Sequence, residues 1–245
     1  MKGMIYKEII LSKKQSLLTG SMFLMFSVLC ILIRLSMECG NIANDTELRG
    51  YLLNNVWILR YLPLVVISFV YDPANTMYDD IDSGFLRFCR TTSLNMKKLI
   101  GTKVITLFIC ELCVYIVYII YLAVLSAVGG EILSITTVLF AFKMMLFFSD
   151  ILLMMLFFST IAESKKTFEA ILFTIITLAA VAYTPLLLKQ MEKYQGRDDL
   201  DVLDVLRVEF IPLEKYVLPI LVILLAASIL LSFLLGSRFI ERRHS

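Results

Sequence analysis

Apolar residues dominate this chain in long runs, and most polar residues are gathered between them. Six runs reach the roughly 20 residues that a helix needs to cross the hydrocarbon core of a bilayer. They cover roughly residues 17–37, 51–71, 100–126, 132–162, 168–188 and 216–237. The pattern therefore predicts an all-α polytopic membrane protein with six transmembrane helices, forming a single transmembrane domain over residues 1–245.

The composition agrees with this interpretation. Of the 245 residues, 59% are apolar and 18% are charged, whereas soluble domains have about 45–50% apolar residues and about 25% charged ones. A soluble chain of this size must cover a large surface with polar groups, so we expect the apolar excess to face lipid. The formal net charge is only +2, which gives no electrostatic reason to expect nucleic acid as a partner.

The distribution of basic residues predicts the orientation in the membrane. When the N-terminus is placed inside, most of the 23 lysines and arginines fall on the cytoplasmic side, as the positive-inside rule requires. The segment 72–99 is then cytoplasmic, the segment 189–215 is an extracellular loop, and both termini face the cytoplasm.

The sequence offers no catalytic constellation. Its only histidine is the penultimate residue, His244, so nucleophilic catalysis that uses histidine and zinc binding by histidine both lack an imidazole inside the fold. No G-x-x-x-x-G-K-[ST] loop is present to bind nucleotide phosphates. We therefore expect no enzyme activity, no metal and no cofactor bound by this chain, which leaves a transporter subunit, a channel or a scaffold.

Four charged residues fall in the middle of the predicted spans, well away from their ends: Arg60, Glu111, Lys143 and Asp150. A charge at the centre of a span costs about 2.5–3.5 kcal/mol and normally has a partner. Counting about 1.5 Å per residue from the predicted cytoplasmic ends puts Arg60, Glu111 and Asp150 at the same depth. We therefore predict that Arg60 pairs with Glu111 or Asp150, either as a clamp between helices or as part of a polar translocation path.

The segment between the second and third spans has the pattern of a docking helix. Its candidate contact residues are Asp79, Asp80, Ser83, Gly84, Phe85, Arg87 and Phe88. Acidic residues early in a helix and basic residues after them complement the helix dipole, and phenylalanines three positions apart form one apolar contact. We expect this helix to dock into a cleft of a soluble partner, the alternative being a helix that lies on the inner leaflet.

Three stretches also carry a resemblance to a known family: the opening residues 1–8, Asp79-Asp80 with Ser83-Gly84-Phe85, and the lysine-containing stretch 97–103. Together with the six-span layout, they resemble the membrane subunits of type-2 ABC (ATP-binding-cassette) exporters. Within that family they are most similar to permeases that export amphipathic peptide toxins, such as phenol-soluble modulins, or that protect cells from bacteriocins. The resemblance implies an elbow helix over residues 1–16 and a coupling helix within 72–99.

The resemblance further implies a function. The chain would be one half of an exporter in the bacterial cytoplasmic membrane, paired with a second permease chain that is identical or paralogous. A separate ATPase subunit would hold ATP and Mg²⁺ and drive export of an amphipathic or hydrophobic peptide by alternating access. The rival interpretation is a passive channel or membrane scaffold that needs no ATPase.

Overall fold

A computed structural model describes residues 2–38, 56–86, 89, 95–162, 164–174, 177 and 214–243. These residues are mainly helical, and none of them lies in a β-strand. The helices are α1 (Lys2–Glu38), α2 (Val56–Ile67), α3 (Pro73–Asp82), α4 (Met96–Val128), α5 (Ile135–Ile161), α6 (Glu214–Leu231) and α7 (Ser237–Arg243), with a π-helical turn at Ser232–Gly236. Residues 165–174 are also helical. The predicted all-α fold class is confirmed for the described part of the chain.

Within the described residues, four helices are long and apolar enough to cross a membrane: Gly3–Met37, Met96–Val128, Ile135–Ile161 and Tyr216–Ile240. They coincide with the predicted first, third, fourth and sixth spans, so the chain has the character of a membrane protein. The second predicted span, 51–71, is described only from residue 56 onward. The fifth, 168–188, lies largely outside the described residues, as does most of the predicted loop 189–215.

The first helix differs from the prediction. Lys2–Glu38 is one helix of 37 residues, about 55 Å long, with no break between the expected elbow over 1–16 and the span that follows. The physical reason is that this stretch contains no proline. Polar side chains within it, such as Ser12 and Thr19, bond to carbonyl oxygens of the preceding turn (Ile9 O at 3.2 Å and Gln15 O at 2.9 Å), so they do not interrupt the helix.

The short helix α3 forms within the predicted coupling segment, but earlier than expected: it ends at Asp82, so the acids lie in its last turns rather than its first, and Ser83, Gly84 and Phe85 follow its end. Asp72 caps its N-terminus by accepting hydrogen bonds from the backbone N–H groups of Ala74 and Asn75, and Pro73 occupies the first turn, where its missing N–H costs nothing. The chain turns after Asp82 at Gly84, whose φ of +72° is a conformation that glycine adopts without strain. Local sequence chemistry therefore determines where α3 begins and where the chain turns after it.

Helix α3 packs against one end of the helix bundle, where α1 and α4 begin and α5 and α7 end. We call this the basal end. Met77 is buried there in a cluster that includes Leu99, Leu156 and Ile240. Ala74 and Tyr78 pack with Phe168 of the helical segment 165–174. One face of α3 is thus buried against the spanning helices.

The opposite end of the bundle, which we call the distal end, contains the end of α1 and the connection 129–134 between α4 and α5. Two tyrosine hydroxyls set the register of α2 on α4: Tyr118 donates to the carbonyl of Arg60 and Tyr121 to that of Leu59, each at 2.6 Å. These bonds place Arg60 beside Tyr118.

Helix α6 and the π-helical turn approach α4 and α5 closely at two glycines. A Cβ atom at Gly101 would lie 3.1 Å from Cζ of Phe233, and one at Gly236 would lie 3.0 Å from Oγ1 of Thr160. Small residues allow spanning helices to come this near. The last described spanning helix is therefore packed against both α4 and α5.

Candidate functional site

Four charged side chains from three helices meet at the basal end. They are Lys7 and Glu8 of α1, Asp80 of α3 and Lys103 of α4, and we call them the basal ion cluster. Lys103 and Asp80 are 0% exposed and Glu8 is 1% exposed. Charges removed from water to this degree need close partners.

Lys103 has close acceptors on all sides of its ammonium group. Its Nζ lies 3.0 Å from Oε1 and 2.9 Å from Oε2 of Glu8, and it donates to Oγ1 of Thr76 at 3.0 Å. Oδ2 of Asp80 is also 3.0 Å away. A lysine ammonium has three donors, so these contacts account for all of them.

Lys7 completes the neutralisation of Asp80 from the other side. Its Nζ pairs with Oδ1 of Asp80 and lies 3.9 Å from Oε1 of Glu8. It also sits over the ring of Phe85, 3.5 Å from the centroid, which is a cation–π contact. Asp80 is thus held between a lysine of α1 and a lysine of α4.

Tyr71, in the connection between α2 and α3, adds a neutral donor to the cluster. Its hydroxyl donates to Oε2 of Glu8 at 3.0 Å. Burial raises the pKa of this phenol far above its usual range, and the neighbouring Glu8 carboxylate raises it further. The phenol therefore keeps its proton and remains a hydrogen-bond donor at physiological pH.

Further hydrogen bonds attach α3 and its preceding connection to the bundle. Gln15 and Ser16 of α1 donate to the carbonyls of Phe69 at 2.9 Å and Val70 at 3.0 Å. Lys165 donates to the side-chain oxygen of Asn75 at 3.1 Å. Helix α3 is therefore bonded to α1, α4 and the segment 164–174.

The basal ion cluster contains two positive and two negative side chains, so it is neutral as a whole. Replacing a buried ion pair with apolar residues often changes stability little, whereas removing one partner costs about 3–5 kcal/mol because it leaves a buried charge uncompensated. The cluster therefore holds α3 in one position relative to α1 and α4.

The face of α3 that points away from the bundle is acidic. Asp79, Asp82 and Ser83 are exposed, and we call them the acidic edge. Gly84 and Phe85 are partly exposed. Asp80, which the sequence grouped with the contact residues, is instead buried in the basal ion cluster. The side chains of Arg87 and Phe88 lie outside the described residues.

A second ion group lies at the distal end. Glu131 accepts from Arg34 at 3.1 Å through Oε1 and from Arg60 at 2.8 Å through Oε2. The predicted pairing of Arg60 with Glu111 or Asp150 is therefore wrong. Arg60 lies beside Tyr118, seven residues and about 10 Å along α4 from Glu111, because the helix ends differ from the ends of the apolar runs used to count depth.

The two acids predicted to lie within spans are buried as expected. Glu111 on α4 is 1% exposed and Asp150 on α5 is 7% exposed. Neither forms a salt bridge with another described residue, and Lys143, on α5, is partly buried. The sequence thus located these acids correctly but assigned them the wrong partner.

Sequence reasoning missed the contribution of Glu8, Thr76, Tyr71 and Glu131. Glu131 follows two glycines between two predicted spans, and Lys103 lies near the start of the third apolar run, so neither position by itself indicates a partner. An acid at position 8 and a lysine just inside the third apolar run are the signals that could have suggested a buried pair.

In the described ranges, no group of three or more histidine, cysteine, aspartate or glutamate side chains is arranged to hold a metal ion. Comparison with protein-family models, curated proteins and solved structures finds no match to this chain. The function is therefore inferred from the chain's own residues and their geometry.

Proposed function

We propose that this chain is the permease half of an ATP-driven exporter of the type-2 ABC kind, moving amphipathic or hydrophobic peptides across the bacterial cytoplasmic membrane. One observation supports this most strongly. Helix α3, which is too short to span a bilayer, is joined to the starts of two spanning helices through the basal ion cluster. A displacement of α3 would therefore be passed directly to α1 and α4.

In this proposal the basal end faces the cytoplasm and the acidic edge of α3 contacts a separate ATPase. The inner face of α3 is occupied by its contacts with α4, α5 and the segment 164–174. Asp79, Asp82 and Ser83 remain exposed on the outer face. An ATPase surface with basic side chains would complement them, and closure of two ATPase subunits on ATP and Mg²⁺ would move α3.

The residues behind the family resemblance add support, since they come from separate stretches that converge in space. Lys7 and Glu8 belong to the opening stretch, Asp80 and Phe85 to the predicted coupling segment, and Lys103 to the lysine-containing stretch. All five lie in or against the basal ion cluster. A second permease chain, identical or paralogous, would supply the other half of the pathway by alternating access.

The test is a charge reversal of the acidic edge. The chain is expressed with each ABC ATPase of its source genome in turn, and the complex with the ATPase that copurifies is reconstituted in lipid vesicles. We expect the double variant Asp79→Lys, Asp82→Lys to lose most ATPase binding and ATP-dependent movement of a fluorescent amphipathic peptide. The control Ile132→Lys adds a positive charge at the distal end, where the side chain is 95% exposed, and should retain both.

The alternative is a passive channel or scaffold that acts without an ATPase. It predicts that no ATPase copurifies with the chain and that solute movement in vesicles is the same with and without ATP. Either result, obtained with the unaltered chain, would overturn the exporter proposal.

A further inference from the structure

Two acids in the interior of the bundle have carboxyl oxygens without a hydrogen-bond partner in the described part of the chain. Oε2 of Glu111 and both carboxyl oxygens of Asp150 are buried and unpartnered. This contrasts with Glu8 in the basal ion cluster and with Glu131 at the distal end, which are both paired with cations. Buried polar groups in proteins nearly always have partners, so these two acids require an explanation.

The two acids lie at similar depth on neighbouring helices. The rings of Tyr115 on α4 and Phe142 on α5 are 6.0 Å apart, which sets the register of the two antiparallel helices. Glu111 is about 6 Å from Tyr115 toward the basal end, and Asp150 is about 12 Å from Phe142 in the same direction. The two residues are therefore separated by about 6 Å, roughly one helical turn, along the axis.

Both positions are near the middle of spanning helices. Glu111 lies close to the midpoint of α4 (Met96–Val128) and Asp150 lies in the central part of α5 (Ile135–Ile161). Helix α6 packs against α5, and Phe233 after it packs against α4. The two acids are thus buried in the central parts of α4 and α5, far from either end of the bundle.

No described cation is placed to neutralise these acids. Residues 217–231 of α6 contain no titratable side chain. The titratable groups of α4 and α5 nearest to the two acids are Cys110, Cys113, Tyr115 and Lys143, and Lys143 is about 10 Å from Asp150 along α5. Helices α1 and α2 face α4 from its other side. Lys7 and Glu8 of α1 belong to the basal ion cluster. Arg34 of α1 and Arg60 of α2 are paired with Glu131.

An ionised carboxylate in this position would be costly. Burying a charge without a donor or counter-ion costs several kcal/mol, and a neutral carboxylic acid avoids most of that cost. A proton is also small enough to bind where the side chains are already packed. We propose that Glu111 and Asp150 form a proton-binding site within the membrane, each carrying a proton in this packing of α4, α5 and α6 and releasing it when the helices separate and admit water.

This inference is independent of the ATPase and would hold for a channel or scaffold as well. Its consequence is that any conformational change that opens the packing of α4, α5 and α6 releases protons. Lowering the pH would therefore favour the packed state, and raising it would favour opening.

The test is infrared spectroscopy of the full chain at neutral pH in micelles of a detergent without carbonyl groups, such as a maltoside, since the ester groups of lipids absorb in the same region. We expect the wild-type spectrum to contain the C=O stretching band of protonated carboxyl groups. Glu111→Gln and Asp150→Asn should each reduce this band, and the double variant should lose it. The control Glu131→Gln removes an ion-paired carboxylate and should leave the band unchanged. Absence of the band from the wild-type protein, which requires no variant, would overturn the proposal.

A second measurement follows the linkage between proton binding and stability. The packed state would bind more protons than the unfolded chain, so stability should fall as pH rises above the ordinary carboxyl pKa of about 4, by up to about tenfold in the folded-to-unfolded ratio per pH unit for each proton. The double variant Glu111→Gln, Asp150→Asn should lose less stability per pH unit than the wild type does, and less than the control Glu131→Gln does. Equal slopes in all three proteins would contradict proton binding at these acids.

Discussion

The ammonium group of Lys103 lies 2.9 and 3.0 Å from the two carboxylate oxygens of Glu8, although 95 positions separate the residues in the chain. Asp80 and Thr76 contact the same ammonium group. Residues of α1 and α3 therefore contact the buried ammonium group of Lys103 on α4, and each contact can be tested by a separate substitution.

Replacing Lys103 with methionine should strongly destabilise the protein. The change leaves Glu8 and Asp80 buried with only Lys7 to compensate them, and we expect a loss of about 3–5 kcal/mol, measured by unfolding in detergent micelles. The matched control is Lys98→Met, because Lys98 lies on the exposed face of the same helix and should change stability by less than about 0.5 kcal/mol. Equal effects of the two variants would contradict a structural role for the basal ion cluster.

Neutralising Asp80 should loosen α3, whereas neutralising its neighbour should not. Asp80→Asn removes the charge that both Lys7 and Lys103 contact, so we expect faster amide hydrogen exchange over residues 73–86, with a stability loss of about 1–3 kcal/mol. Asp79→Asn alters an exposed side chain of the same helix and serves as the control. If exchange in α3 rose equally in both variants, burial of Asp80 would not be what holds the helix.

The pairing of Arg60 can be tested by charge exchange. Arg60→Glu should weaken the distal end modestly, because Arg60 and Glu131 are both partly exposed and such pairs contribute about 0.2–1 kcal/mol. Adding Glu131→Arg should restore part of the loss in a double-mutant cycle. Adding Glu111→Arg instead of Glu131→Arg should restore none of the lost stability. If it did restore stability, Arg60 would pair with Glu111 rather than with Glu131.

A methyl group at Gly129 should displace Arg34. Its Cβ would lie 2.6 Å from Nε and 2.8 Å from Cζ of Arg34, so the guanidinium group would have to move away from Glu131. The guanidinium is the far end of a flexible side chain and can shift, so we expect Gly129→Ala to cost about the value of the partly exposed Arg34–Glu131 ion pair, up to about 1 kcal/mol, seen as a slightly lower unfolding temperature. Gly20→Ala places its methyl group where no atom lies within 4 Å, and it should leave stability unchanged or slightly higher.

The orientation that the proposed function requires can be tested by cysteine labelling in a variant without native cysteines. Ile132→Cys at the distal end should react with a membrane-impermeant maleimide added to intact cells. Asp82→Cys at the basal end should react only after the cells are permeabilised. The reverse result would put α3 outside the cell, where no ATPase could reach it.

Several features of this fold could be predicted from local sequence. The apolar runs around Leu107, Leu152 and Leu221 correspond to helices of spanning length, because a run of about 20 apolar residues has few stable alternatives to a membrane helix. The acids Glu111 and Asp150 lie within two of these helices, as their positions in the apolar runs predict. Such signals depend only on neighbouring residues.

Other features could not be predicted in this way. Depth along a span was estimated from the ends of apolar runs, but the helices extend beyond those ends: α4 begins at Met96, and α1 continues from Lys2 without a break. Arg60 was consequently assigned to the level of Glu111 when it lies beside Tyr118. Periodicity also does not indicate which helix faces meet, so the partners of Glu8 and Glu131 were not predicted.

The sequence by itself determined the membrane character of the protein and four of its spanning helices, since both follow from the hydrophobicity of adjacent residues. Only the tertiary structure decided which charges neutralise one another. Lys7, Glu8, Asp80 and Lys103 were each visible in the sequence, but their pairing depends on how α1, α3 and α4 pack. An unpaired charge that is buried costs free energy, so the stable packing is the one in which each buried charge lies beside a charge of opposite sign.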